Sequence, residues 1–267
     1  MTYAEPAGGT LGLGPQYRTW IRMRRVRIIT ATASACLAAS ALAALSPWFL
    51  LFLLPAGILG YVSLILWLTV HRLGPRGGDV QQRIHRLIAA KVGERPGSVL
   101  DIGCGSGSLA IAVATAQPDC NVVGVDSWGD DWEYSQRQCE QNARCLGVAD
   151  RVAFRQQSAA SLGYPDGAFD TVVSCLTFHE VREATDRTEA VLEALRVLRP
   201  GGRFVFLDLF ADRGHFTSRQ HVRDAIGRGG GSIDQERALS DVMPLPYPLR
   251  DAKVLGHAVL LSGVRTR

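Results

Sequence analysis

Residues 99–107 read Val-Leu-Asp-Ile-Gly-Cys-Gly-Ser-Gly, an apolar run that meets an acid and then three alternating glycines. Such a short apolar run is a buried strand, and Gly103, Gly105 and Gly107 mark a turn whose backbone enters conformations that a Cβ resists. A helical pattern over 109–116 follows at once, so the segment reads strand, turn, helix, the unit from which parallel sheets are wound. Bare backbone at the turn also lets a bulky ligand lie directly on it. A diphosphate is not the expected ligand. No lysine follows in the manner of Gly-x-x-x-x-Gly-Lys-Ser/Thr, and Ser108 stands where Gly-x-Gly-x-x-Gly needs its last glycine.

The pattern continues downstream. Asn121-Val-Val-Gly-Val-Asp126 predicts a second strand that ends in a carboxylate, 25 residues after Asp101. Residues 152–156 and 169–175 alternate as a third and a fourth strand, with Pro165-Asp166-Gly167 turning the chain between them. Leu198-Arg-Pro-Gly-Gly202 closes a helix before a fifth strand at 203–209, and 252–256 and 257–264 are expected as the last two strands. Gly229-Gly-Gly231 reads as a flexible break between helices.

Taken in order, these segments resemble the class I S-adenosylmethionine-dependent methyltransferases over most of residues 80–267. The resemblance implies an α/β fold: a doubly wound, seven-stranded, Rossmann-like sheet with an antiparallel pair at its edge, and S-adenosyl-L-methionine as cofactor. It implies a cofactor site made of Asp101, Gly103, Cys104, Gly105 and Gly107, with Asp126 accepting from the ribose hydroxyls beside Ser127. A helix cap is the rival role for Asp126. Ser158 stands where the family often has Asp or Asn for the adenine amino group, so recognition there is expected from Ser158, the Ala159 backbone and stacking on Trp128. The competing account of Trp128 is a tryptophan with no ligand. The stretch 124–139 is similar to a narrower group of uncharacterised methyltransferases with an apolar amino-terminal extension. Within it Asp130, Asp131 and Glu133 are expected at a helix start, where the macrodipole favours acids.

For chemistry, Thr177-Phe-His-Glu180 follows the fourth strand. His179 is the candidate base for a hydroxyl or enol, and Glu180 the candidate to orient it or to bind a substrate cation. The alternative is that both only touch cofactor or fix the loop. An Asn/Asp-Pro-Pro-Tyr/Phe sequence is absent here, which demotes planar amino groups as acceptors. His215 and His221 fall in a segment where the family builds its substrate lid. Six cysteines, at 36, 104, 120, 139, 145 and 175, show neither a disulfide framework nor a zinc spacing, so no metal is expected.

Ahead of this domain, residues 28–70 run for 43 positions without Asp, Glu, Lys or Arg, and Ser46-Pro47 sits near the middle. One span takes about 20 apolar residues. Two transmembrane helices are therefore predicted, at about 28–45 and 48–70, joined at a proline. Arginines at 18, 22, 24, 25 and 27 precede the run, and Arg72 and Arg76 follow it. The positive-inside rule then leaves both termini and the enzyme domain in the cytoplasm, on a multi-pass anchor in the cell membrane. A secretory signal ending at Ala41-Leu-Ala43 is a rival reading, opposed by the more apolar stretch right behind it. A single span with a re-entrant partner is another. Residues 1–72 carry a net charge of +5 and the remainder −1, so no nucleic-acid surface is implied for the domain.

The expected organisation is a basic segment at 1–27, the hairpin at 28–70, a linker at 71–79 and the methyltransferase domain at 80–267. Residues 80–92 open that domain as a helix with one apolar stripe. The expected function is methyl transfer to a small-molecule or lipidic acceptor at the membrane. The alternative is a catalytically silent S-adenosylmethionine-binding sensor or membrane scaffold.

Overall fold

The computed structural model describes residues 14–129 and 132–267. Strands β1 (Ser98–Ile102), β2 (Asn121–Asp126), β3 (Val152–Gln156), β4 (Phe169–Cys175), β5 (Leu198–Asp208), β6 (Gly231–Ala238) and β7 (Val259–Arg265) form one sheet in the order β3-β2-β1-β4-β5-β7-β6. The first five run parallel, and β7 lies antiparallel between β5 and β6.

Alternation along the strands builds a core on each face. Val99, Val173, Val205 and Leu207 point to one side, where helices α3 (Val80–Ala89), α4 (Ser108–Ala116) and α5 (Gln136–Cys145) pack. Leu100, Val172, Phe204 and Phe206 point to the other, against α6 (Thr188–Val197) and α7 (Arg219–Arg228). On α3 the stripe is Val80, Ile84 and Ile88, each at most 1% exposed. Apolar surface at that depth is what holds helix to sheet, at about 25 cal/mol per Å² buried.

The edge departs from the sequence expectation. Residues 252–256 form turns closed by the Val254 and Gly256 N–H groups on the Asp251 carbonyl, and the sixth strand is Gly231–Ala238. Gly229-Gly-Gly231 is thus the passage from α7 into β6 rather than a break between helices. Asp234, Glu236 and Arg237 give that strand too much charge to read as an apolar run. Charged residues on an exposed edge discourage pairing with other chains.

Before the domain, α1 spans Met23–Ser40 and continues as a 3-10 turn at Ala41–Ala44, while Pro47–Phe52 leads into α2 at Leu53–Leu73. The segments Met23–Ala44 and Pro47–Leu73, with mean hydropathies of 1.6 and 2.4, are long and apolar enough to cross a membrane. They pack as a hairpin in which Thr30 Oγ1 lies 2.6 Å from Ser63 Oγ and accepts from the Trp67 indole N–H at 3.1 Å. Their apolar side chains point outward, Leu37 and Leu54 being 60% and 71% exposed. A helix in the core of a soluble domain shows the reverse.

Candidate functional site

Strand order reverses between β1 and β4, and ligands of open α/β sheets bind outside the carboxyl ends of the strands at such a switch. A cleft of about 560 Å³ lies there. Asp101 on β1 and Asp126 at the end of β2 form one half. The loop Thr177–Glu180 after β4 and Asp208 at the end of β5 build the other.

In the first half, Gly103, Gly105 and Gly107 have φ of +74°, +55° and +80°, where side chains are strained. The space beside two of them belongs to the protein. A Cβ on Gly103 would collide with Thr177 Oγ1, and one on Gly107 would meet Phe154 Cζ at 2.9 Å. Only Gly105 leaves ordinary room, with Tyr134 at 3.5 Å, so the turn is bare for tight packing as much as for a ligand. The turn is tied to β2 by the Gly103 and Cys104 N–H groups on the Val125 carbonyl. Cys104 is buried, which pushes its thiol up and leaves it a small core residue.

Asp126 accepts from the Gly105 N–H (2.8 Å) through one oxygen and from the Trp128 N–H (2.9 Å) through the other. Burial raises its pKa against those hydrogen bonds. Asp101 is less satisfied. One oxygen accepts the Ala110 N–H at 2.9 Å, while Oδ1 is buried without a partner, as is Gln81 Oε1. Burial pushes the Asp101 carboxyl up to about 8 and the neighbouring His85, which shares a 2.9 Å hydrogen bond with Ser108 Oγ, down to about 3. Two orphaned acceptors on residues that line the cleft fit a ligand that brings hydrogen-bond donors and positive charge. S-adenosylmethionine carries both, in its ammonium and its sulfonium.

Ser127, Ser158 and Ala159 line the cleft, and Ser158 Oγ donates to Glu183 Oε1 at 3.2 Å while accepting the Ala160 N–H. Trp128 is placed otherwise than expected. At φ +43° its indole N–H donates to the Gly105 carbonyl at 2.9 Å and its ring packs toward the core, so it braces the turn. Asp130 and Asp131 lie outside the described residues. Glu133 precedes α5, whose N-cap is Ser135.

In the second half, His179 Nδ1–H donates to Asp208 Oδ1 at 2.6 Å. Asp208 is fully buried and also accepts from the Thr177, Phe178 and Leu209 N–H groups. Burial lowers the His179 pKa, but the Asp208 carboxylate outweighs it and the net shift is upward. The hydrogen bond of the His179 ring is thus made with Asp208 and not with Glu180, whose Oε1 stands 3.8 Å from His179 Nε2. His215 meets His179 edge-on at 5.1 Å between centroids, and Arg187 donates to both backbone carbonyls. His221 does not line the cleft; it pairs with Asp186 at 2.6 Å. The sequence did hold a signal for Asp208, a third apolar strand ending in Asp like 99–101 and 122–126.

Residues 14–22 form a roof that the sequence reading missed, since no local pattern announces it. Gln16 bonds Asn142 and Gln138, Gln81 Nε2 donates to the Arg18 carbonyl at 3.0 Å, and Tyr134 Oη donates to the Thr19 carbonyl at 2.9 Å. Glu133 takes the Arg18 guanidinium and the Arg24 N–H, both at 2.8 Å. Arg18, Trp20, Ile21 and Arg22 thereby border the cleft.

Residues 100–206 match the family described as methyltransferase domain. Demethylmenaquinone methyltransferase of Deinococcus radiodurans is 32% identical over 190 residues, 67% of this chain and 72% of the relative. The 27-O-demethylrifamycin SV methyltransferase of Amycolatopsis mediterranei is 35% identical over 153 residues, 55% of this chain and 51% of that one. The chain spans 51% to 61% of the length of the first curated relatives it matches. In fold it is similar to a geranyl diphosphate methyltransferase solved with its cofactor, with a TM-score of 0.57, 17% identity, and coverage of 73% and 89% of the two chains.

Proposed function

This chain belongs to the class I S-adenosylmethionine-dependent methyltransferases, and from that premise we propose that it methylates an acidic hydroxyl or enol on a small-molecule or lipidic acceptor, from an anchor in the membrane. The observation that carries the reading is the His179–Asp208 pair at the cleft. Asp208 fixes the tautomer with Nδ1 protonated, which leaves Nε2 as the proton acceptor. The cofactor supplies an already activated methyl group, so the protein's task is to position the nucleophile and remove its proton. Asp101, Gly103, Gly105, Asp126, Ser127, Ser158 and Ala159 would hold the cofactor, with Cys104 and Trp128 shaping the turn. His179 takes the proton at Nε2, and the Asp208 carboxylate stabilises the imidazolium that forms.

Two named relatives support this class of acceptor: one acts on demethylmenaquinone, the other on 27-O-demethylrifamycin SV. Anchoring is supported by the length, composition and outward apolar faces of the hairpin, flanked by arginines that favour the cytoplasmic side. The test is transfer of label from methyl-labelled S-adenosylmethionine into a membrane extract by the full chain in detergent. Wild-type protein should label an extractable product, and His179→Asn should not. Equal labelling by both proteins defeats base catalysis, and no labelling by a folded, cofactor-bound chain favours the sensor.

A further inference from the structure

The roof of the cleft lies outside the matched domain, in the segment entering α1. It includes Arg22, whose side chain is 11% exposed. The guanidinium lies 4.3 Å over the Trp132 ring, and Trp132 stacks on Tyr134 at 5.4 Å with 7° between planes. From that platform Arg22 Nη2 reaches Glu180 Oε2 at 3.2 Å. The other oxygen of Glu180 is the one 3.8 Å from His179 Nε2.

This geometry sets a competition. The Nδ1 face of His179 is taken by Asp208, so only Nε2 is open to an acceptor. A carboxylate free to close from 3.8 Å to a charge-assisted bond of about 2.8 Å would occupy Nε2 and hold the ring protonated. Stacked on Trp132, Arg22 draws that carboxylate the other way. We propose that Arg22 is a positioning residue for His179: it keeps Glu180 off Nε2 and makes the segment leading into the first apolar helix part of the working site. The inference rests on His179 acting as base.

The groups facing His179 are Asp208 from the end of β5, Glu180 on its own turn, Arg187 ahead of α6, His215 from the loop after β5, and Arg22 through Glu180. The experiment follows the His179 ring by NMR across pH in the full chain in detergent, alongside the label-transfer assay. Arg22→Gln should move the His179 titration upward and cut transfer near neutral pH by about tenfold or more. Arg22→Lys, which keeps the charge, should restore much of both. With Glu180→Gln already in place, adding Arg22→Gln should move the titration far less. An unmoved titration in Arg22→Gln, or the same movement with and without Glu180, overturns the proposal. If the titration moves as stated while His179→Asn still transfers label at the wild-type rate, the base reading fails and the Arg22–Glu180–His179 contact stands.

Discussion

Asp101 and Asp208 are both buried acids near strand ends in one cleft, yet they are built in opposite ways. Asp208 accepts from three backbone N–H groups and from His179, so its charge is compensated within the fold. Asp101 has one oxygen on Ala110 and the other orphaned, and burial holds its carboxyl up at about 8. On the proposed reading, the carboxylate whose partners are built in serves the working machinery, and the one left short of donors serves a site that a ligand completes.

An asparagine in place of each should therefore act on different steps. Asp208→Asn keeps the shape but loses the hold on His179, and methyl transfer should fall by about 10³-fold while S-adenosylhomocysteine still binds, as single-turnover and equilibrium assays would report. A loss of binding equal to the loss of rate would erase the distinction between the halves. Gly103 lies between them, packed on Thr177, whose N–H serves Asp208. Gly103→Ala should cost roughly 2–4 kcal/mol in chemical denaturation through backbone strain and the collision, damaging both halves at once.

Asp101→Asn is the milder and more diagnostic change. Losing a charge-assisted contact should weaken S-adenosylmethionine by about 10- to 100-fold. The ligand-free protein should instead gain thermal stability. An unfolded carboxyl ionises near 3.8 whereas Asp101 keeps its proton to about 8. Between those values the native state binds the extra proton, so this group's contribution to stability falls as pH rises. The melting temperature of Asp101→Asn should accordingly gain on wild type from pH 5 to 8. Smallest is Ser158→Asp. The new carboxylate would face Glu183 and weaken the cofactor a few-fold, by roughly 1 kcal/mol or less.

The contrast also marks what could be read from the chain alone. Strands at 121–126, 152–156 and 169–175 coincide with β2, β3 and β4 because each is a local apolar run with turn residues beside it. The half proposed to hold the cofactor stands out in the chain for the same reason, since Asp101, the glycines and Asp126 follow one another in one β-α-β unit. The second half was legible only in part. His179 stood out, but its partner lies 29 residues away on another strand and competed with the adjacent Glu180 for the same role. The two accounts of Trp128 could not be separated from the chain because the direction of a side chain at positive φ is not written in its neighbours. The roof was missed because its tethers to Glu133, Tyr134 and Asn142 span more than a hundred residues.

The most direct test is calorimetric titration of S-adenosylmethionine into the full chain at about pH 6.5, repeated in buffers of different ionisation enthalpy. The account predicts saturable binding that releases about one proton as Asp101 ionises against the incoming cation, and no release from Asp101→Asn. Saturable binding with no proton released, or with the same release from both proteins, would contradict it.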